Sequence, residues 1–158
     1  MAKTADRPLQ ALVDEHHAIH EALARAASLG GTTGAAAADL LQTLEGHFAK
    51  EEEMLLLLFE YVADAGGRAR GSGTAGARDR AESMERSVRQ AFRQHQRFPP
   101  LIDRLRDAAE REGHDRVLCL CQRIEGHMRI EEGVFFPLAR SQYRAARLAE
   151  GEPVARAR

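Results

Sequence analysis

Glu45-Gly46-His47 followed by Glu51-Glu52 recurs as Glu125-Gly126-His127 followed by Glu131-Glu132, at a constant offset in the numbering. His16 and His95 are related by the same offset to within one position. On a helix, residues four apart share a face, so His47 with Glu51 and His127 with Glu131 each set an imidazole beside a carboxylate. Neutral imidazole nitrogens and carboxylate oxygens together suit iron, manganese or zinc. Closed structural zinc sites usually use cysteine. The two cysteines here, Cys119 and Cys121, are two apart and point in different directions on a helix. That is not the spacing of a redox or zinc pair, and they read as reduced thiols in or near the core.

A second signal is where these residues fall. Apolar positions recur every three or four residues along four segments, as on helices with one buried face. The first stripe is Leu9, Leu12, His16, Ile19 or His20, and Leu23; the second is Leu40, Leu44, His47, Glu51, Met54 or Leu55, Leu58 and Val62. The third is Val88, Phe92, His95, Phe98, Ile102 and Leu105, and the fourth is Val117, Cys121, Ile124, His127, Glu131, Phe135 and Leu138. Each stripe is interrupted by a histidine, and two carry a glutamate one turn later. Buried carboxylates need a partner or a metal, and several together without one are strongly destabilising. The bare His-x-x-x-Glu spacing is weak on its own. His17 and Glu21 form a third copy, but His17 lies roughly 100° off the stripe and reads as solvated.

The elements that must position these residues are marked by glycine and proline. Helices are predicted from about Pro8 to Ser28, Ala35 to Asp64, Arg78 to Glu112, and His114 or Asp115 to Arg147. Gly30 to Gly34 separates the first pair, and a loop at about residues 65–77, rich in Gly, Arg and Ser, separates the second. Alanine, leucine, glutamate and arginine dominate throughout, and no segment alternates with period two. The fold class is all-α, an antiparallel up-down-up-down four-helix bundle in one domain, with its core at about residues 8–147. His16 lies about four helical turns before Gly30, and His47 lies nearly as far after Gly34. At the rise of an α-helix these are ~21 and ~20 Å from the same end of the bundle, so the two share a layer. His47 and His95 match in the same way across the next connection. Pro99-Pro100 removes backbone donors inside the third pattern, so that helix should kink or restart directly after His95.

Bulk properties exclude other classes. The chain has 158 residues, a formal net charge of −1 and no basic arm, so nucleic acid and acidic membranes are not expected partners. Met1 to Gln10 has no apolar h-region and no secretory signal is read there. The longest apolar run, Met54 to Phe59, is too short to span a bilayer. The expectation is a cytoplasmic protein. Six ligands, His16, His47, Glu51, His95, His127 and Glu131, two of them carboxylates able to bridge, suit two ions better than one.

Ferritin-like di-iron bundles use Glu-x-x-His on paired helices; this chain has the reverse order, His-x-x-x-Glu, with lone histidines. That pattern resembles the hemerythrin-like (HHE cation-binding) family. The resemblance runs from Leu9 to Leu138. It rests on Asp14-Glu15-His16 with Ile19, His47-x-x-x-Glu51-Glu52, His95, and His127-x-x-x-Glu131-Glu132 leading to Phe135-Phe136-Pro137. It implies a non-haem site of two Fe ions, oxo- or hydroxo-bridged, with four terminal histidines and with Glu51 and Glu131 bridging. The oxygen-carrying members have five histidines, two of them one turn apart on the third helix, and an acid five residues after the last. Here Pro99 stands four after His95; His20 is the candidate fifth imidazole, and Glu132 the i+5 alternative to Glu131. Tyr61 and Tyr143 lie too far along their helices to ligate, and His114 reads as a helix-start residue. The function implied is binding of dioxygen or a related small ligand, for storage, delivery or sensing of oxygen or iron. Leu12, Leu44, Phe92, Ile124 and Phe135 would screen the site from protons. The alternative is a di-iron enzyme acting on peroxide, nitric oxide or oxygen, with the Pro99-Pro100 kink opening a channel beside His95.

Overall fold

The computed structural model describes the backbone of residues 6–66 and 74–141 and the side chains of residues 10–56 and 82–141. Leu9, Leu58, Val62, Tyr61, Tyr143, the loop over 67–73 and the expected helical turns to Arg147 lie outside what is described at that level. Among the described residues every regular element is helical and none is a strand. Helix α1 is Asp6–Ala27, α2 is Gly31–Gly66, α3 is Thr74–His95, α4 is Pro99–Glu112 and α5 is Asp115–Ile130. A π-helical turn, Glu131–Phe135, carries α5 into a further helical stretch over 136–141. Helix α1 packs on α2 and α5, α2 on α3 and α4, and α4 on α5. This is compatible with a helical bundle. No described helix is long and apolar enough to cross a membrane.

Three features differ from the expectation, each for a physical reason. Helix α2 starts at Gly31 rather than Ala35, because Glu112 from the end of α4 supplies the missing acceptors. Its carboxylate accepts from the Thr32 amide at 2.8 Å, the Thr32 hydroxyl at 2.6 Å and the Thr33 amide at 3.1 Å. An unsatisfied helix N-terminus favours such an anion, and these bonds pull the Glu112 carboxyl down to about 2. Gly31 is required there: its φ is +60°, and a Cβ would sit 2.9 Å from the Glu112 carboxylate. Helix α3 begins at Thr74, so Thr74 to Gly76, expected to be irregular, form its first turn. Glycine is least disruptive there, where the amides lack intrahelical acceptors anyway.

The expected restart after His95 is present, so the third pattern is two helices. Helix α3 stops at His95, a tight turn passes through 96–98, and Pro99 and Pro100 occupy the first positions of α4. There the absent amides leave no bond unmade. The last difference is the π turn. One extra residue in a turn rotates everything after it, so the buried positions after Glu131 are Phe135, Phe136 and Ala139. Leu138, expected in the stripe, is 41% exposed.

Two apolar clusters fill the interior. One gathers Ile19, Leu23, Leu40, Leu44, Phe98, Ile102, Leu105, Cys121 and Ile124 with their neighbours. The other gathers Leu12, Met54, Leu55, Met84, Val88, Ala91, Phe135, Phe136 and Ala139. Phe92 is not in either; it is 47% exposed. The stripe of α3 runs Met84, Val88, Ala91, His95, and Phe92 sits roughly 70° from its centre. Cys121 is buried, which pushes its thiol up to about 11, whereas Cys119 is exposed.

Candidate metal centre

Between the two apolar clusters lies a polar layer. On α1, His16 follows Leu12 and precedes Ile19; on α2, His47 and Glu51 lie between Leu44 and Met54. On the third arm His95 lies between Ala91 and Phe98, and on the fourth His127 and Glu131 lie between Ile124 and Phe135. Each polar residue therefore comes inward because its helix is anchored by burial on both sides, at roughly 1.5–3 kcal/mol per large apolar side chain. All six are buried, with both glutamates at 0% exposure and the histidines at 4% or less.

The ligand atoms converge. His16 Nε2 lies 3.2 Å from Glu131 Oε1 and 3.4 Å from Glu51 Oε2. His127 Nε2 is 2.9 Å from Glu131 Oε1, and His47 Nε2 is 3.2 Å from Glu51 Oε1. His95 Nε2 is 3.3 Å from Glu131 Oε2 and 3.0 Å from His47 Nε2. Two groups of four side chains result: His16, Glu51, His127, Glu131, and His47, Glu51, His95, Glu131. Within each, the four ligand atoms lie within 4.8 Å of one another. Glu51 and Glu131 belong to both groups.

Hydrogen bonds of His16 with Glu131 and of His95 with His47 account for only part of this proximity. Both oxygens of Glu51, Oε2 of Glu131 and Nε2 of His127 are buried with no hydrogen-bonding partner. Buried polar groups are nearly always satisfied, and an orphaned carboxylate is among the more unfavourable groups to enclose. Lone pairs that face a common centre without facing donors are the arrangement a cation satisfies. The chemistry of the donors, imidazole and carboxylate with no thiolate, is compatible with a metal ion.

The outer ring nitrogens support this. His47 Nδ1 pairs with Gln94 Oε1 at 3.1 Å and His95 Nδ1 with Glu132 Oε1 at 2.9 Å. His16 Nδ1 lies 3.5 Å from Glu52 Oε1, too far for a hydrogen bond. A histidine that points one nitrogen at a site and anchors the other on an amide or carboxylate has its tautomer and ring orientation fixed, as metal ligands do. Aromatic rings close the layer. Phe48 stacks on His16 at 4.2 Å and 12°, Phe98 meets His47 edge-on at 4.9 Å, and Phe136 lies 5.1 Å from His95.

In metal-free protein the carboxylates hold protons on two of the imidazoles. Burial disfavours the charged form of His16, but Glu131 and Glu51 outweigh it and raise the imidazole to about 9. Burial acts the same way on His95, where Glu131, Glu51 and Glu132 raise it to about 10. For His47 burial prevails and its pKa is lowered. Burial would raise the Glu131 carboxyl, yet His127, His16 and His95 around it hold it far below the usual carboxylate range.

The six expected residues are thus brought together, and three others are not. His20 is half-exposed and its Nε2 pairs with Glu45 Oε1 at 3.0 Å. It sits roughly 80° from the centre of the buried face of α1, where Ile19 takes the inward place, so no fifth imidazole reaches the layer from this helix. Glu132 is exposed and serves as the acceptor for His95 rather than replacing Glu131. His17 is exposed, as expected of a solvated copy. Sequence reasoning missed Gln94 and Phe48. Both are neighbours in sequence of histidines of the layer, and only the direction of their helices reveals that they turn back onto the rings.

Among the described residues, clefts reach the layer's edge. One of about 480 Å³ is lined by His95, Pro99, Ile102, Met128 and Glu132, next to the break between α3 and α4. A smaller one, about 200 Å³, opens on Gln94 and Phe98. No family model matches the chain, and no curated protein or solved structure does either.

Proposed function

We propose that this chain is a hemerythrin-like, non-haem di-iron protein that binds dioxygen or a related small ligand, and that its arms form an antiparallel up-down-up-down bundle. The observation that carries this reading is the pair of buried four-residue groups sharing both carboxylates. Such sharing suits two ions: His47 and His95 would hold one, His16 and His127 the other, and Glu51 and Glu131 would bridge them. The two irons would supply reversible electron donation to a bound small ligand. Phe48, Phe98 and Phe136 keep water from the layer. Gln94 and Glu132 hold the His47 and His95 rings with Nε2 inward. Storage, delivery or sensing of oxygen or iron in the cytoplasm follows from this reading.

The test is metal content per chain after anaerobic purification, with absorption spectra before and after exposure to air. Two irons per chain and an oxygenated spectrum that reverses under vacuum support the carrier. Absence of stoichiometric iron would falsify the di-iron reading, and absence of any stoichiometric metal the metal site itself. Glu51→Ala and Glu131→Ala should each lower metal retention more than Glu53→Ala, and equal loss would sink the bridging assignment. One observation favours an enzyme instead: the cleft that touches His95 beside Pro99, large enough for more than a diatomic ligand. Rapid turnover of hydrogen peroxide or nitric oxide, abolished by His47→Ala, would select that alternative.

A further inference from the structure

A separate cleft of about 470 Å³ lies between α3 and the helical stretch over 136–141. Its volume is that of a small-molecule site. Helix α3 packs mainly on α2, which leaves a groove on its other side. Apolar Val88, 3% exposed, and Phe136, 2% exposed, line it, and the half-exposed Phe92 ring lies 6.3 Å from Phe136. Three arginines surround this apolar surface: Arg89, Arg93 and Arg140. Arg89 donates to Glu85 at 2.9 Å and Arg140 lies 3.8 Å from the same carboxylate, so the two share one counter-ion. Arg93 has no ion-pair or hydrogen-bonding partner among the described residues. Against the three guanidinium groups stand two carboxylates, Glu85 and Glu132, and Glu132 is already engaged by His95. Among the described lining residues, arginines therefore outnumber carboxylates three to two, and the excess is positive.

The internal repeat shows that this charge does not come from the duplication. At the corresponding places of the first repeat stand Gln10 for Arg89, Asp14 for Arg93 and Glu60 for Arg140. Gln10 and Asp14 bond each other instead. The basic, aromatic groove belongs to the second repeat alone.

We propose that this cleft binds a small organic monoanion, a carboxylate with an apolar body, its ring or chain against Phe92 and Phe136 and its carboxylate on Arg93 and Arg140. Guanidinium groups bind carboxylates in planar, two-point fashion, and the adjoining apolar surface selects against a bare anion. The proposal does not require a metal, although the cleft shares Glu132 and Phe136 with the surroundings of His95. The test is a titration of full-length protein with phenylacetate, followed by calorimetry and by amide NMR shifts, in excess chelator so that no metal competes for the carboxylate. Saturable one-to-one binding is expected, with shifts confined to residues 85–93 and 132–141. Arg93→Gln and Arg140→Gln should each weaken it by about tenfold or more, since each removes a charge-assisted pair. Phe92→Ala should weaken it several-fold, and acetate and benzyl alcohol should each bind far more weakly than phenylacetate. Arg97→Gln, on a different cleft, should change nothing. Non-saturating binding, shifts scattered over the surface, or indifference to Arg93→Gln would overturn the site. Acetate binding as tightly as phenylacetate would overturn its apolar half.

Discussion

The two repeats begin with the same ligand pattern and end with different surroundings. Glu52 and Glu132 are counterparts, and each faces the lone histidine of its own repeat: Glu132 is 2.9 Å from His95, Glu52 3.5 Å from His16. Gln94 and Glu15 are also counterparts. Gln94 bonds His47, whereas Glu15 is taken by Arg123, with both oxygens accepting at 2.6 Å. Phe48 stacks on His16, but its counterpart in the second repeat is Met128, which lines the cleft beside His95. The helix break before Pro99 has no equivalent after His16 on α1. The His16 side of the layer is therefore covered by a stacked aromatic ring, whereas the His47 and His95 side, though flanked by Phe98 and Phe136, is buttressed by polar acceptors and borders clefts. A duplicated ligand set, in other words, does not make equivalent halves; the residues one position away decide access and rigidity.

The largest effect expected from this asymmetry concerns the two shared carboxylates in metal-free protein. Glu131 faces three histidines, two of them raised toward the charged form, while both oxygens of Glu51 lack hydrogen bonds. Glu131→Gln leaves buried positive charge without a counter-ion and should cost about 3–5 kcal/mol. Glu51→Gln should cost clearly less. Urea unfolding after chelation measures both, and equal losses would restore the symmetry the sequence suggests.

The same imbalance fixes the pH dependence. The folded pKa values of His16 and His95, about 9 and about 10, exceed their ordinary 6.5. Their contribution is complete below 6.5 and is lost as pH rises through 9 to 10. Glu131 is shifted the other way, so its contribution is lost as pH falls below its ordinary 4.5. Metal-free protein should thus lose stability on the order of a few kcal/mol between pH 7 and 10. Metal, which must displace those protons, should bind more tightly across the same range. Thermal melting at a series of pH values checks the first, and competition with a chelator the second. A flat profile would mean that the histidines are neutral in the metal-free layer.

Much of this was legible in the sequence, and what was not has a common cause. The all-helical fold, the six residues of the layer and the restart after His95 follow from spacing, because a stripe of period 3.6 and a Pro-Pro pair act locally. The start of α2 was misplaced because its cap, Glu112, comes from the far end of α4, remote in the chain. A fixed period carried along a helix puts Phe92 and Leu138 in the core; on α3 the buried face is set by Val88, Ala91 and His95 and leaves Phe92 on its flank, and for Leu138 the π turn at Glu131–Phe135 rotates the frame. The outer partners Gln94 and Glu132 were not read as such for a related reason. Their role depends on which way a ring nitrogen points, a property of two helices together.

A smaller effect separates the ring-covered side from the one that borders clefts. Phe48→Ala removes a buried ring from against His16 and should destabilise by about 3 kcal/mol, within the usual range for a core aromatic. Met128→Ala, at a half-buried position beside a cleft, should destabilise by about 1–2 kcal/mol. Met128→Phe, which places the first repeat's residue in the second, should narrow the cleft. In metal-loaded protein it should slow azide binding in stopped flow while leaving metal content unchanged. An unchanged rate would place the route to the layer elsewhere.

The smallest difference lies with Gln94 and Glu15. Gln94 orients His47 from a half-buried position, and removing such an outer partner typically costs 10- to 100-fold in metal affinity, or about 1.4–2.7 kcal/mol. Glu15 holds Arg123 on a largely exposed surface, where an ion pair contributes about 0–1 kcal/mol. Gln94→Ala should therefore weaken metal binding with little change in metal-free stability, and Glu15→Ala should weaken neither by much. The ordering depends on the acceptor alone, so Gln94→Glu, which keeps an acceptor on His47 Nδ1, should restore affinity to near that of the parent. If Gln94→Ala and Glu15→Ala weakened metal binding equally, the His47 ring would be held by packing against Phe98 rather than by its hydrogen bond, and the two repeats would differ in access but not in rigidity.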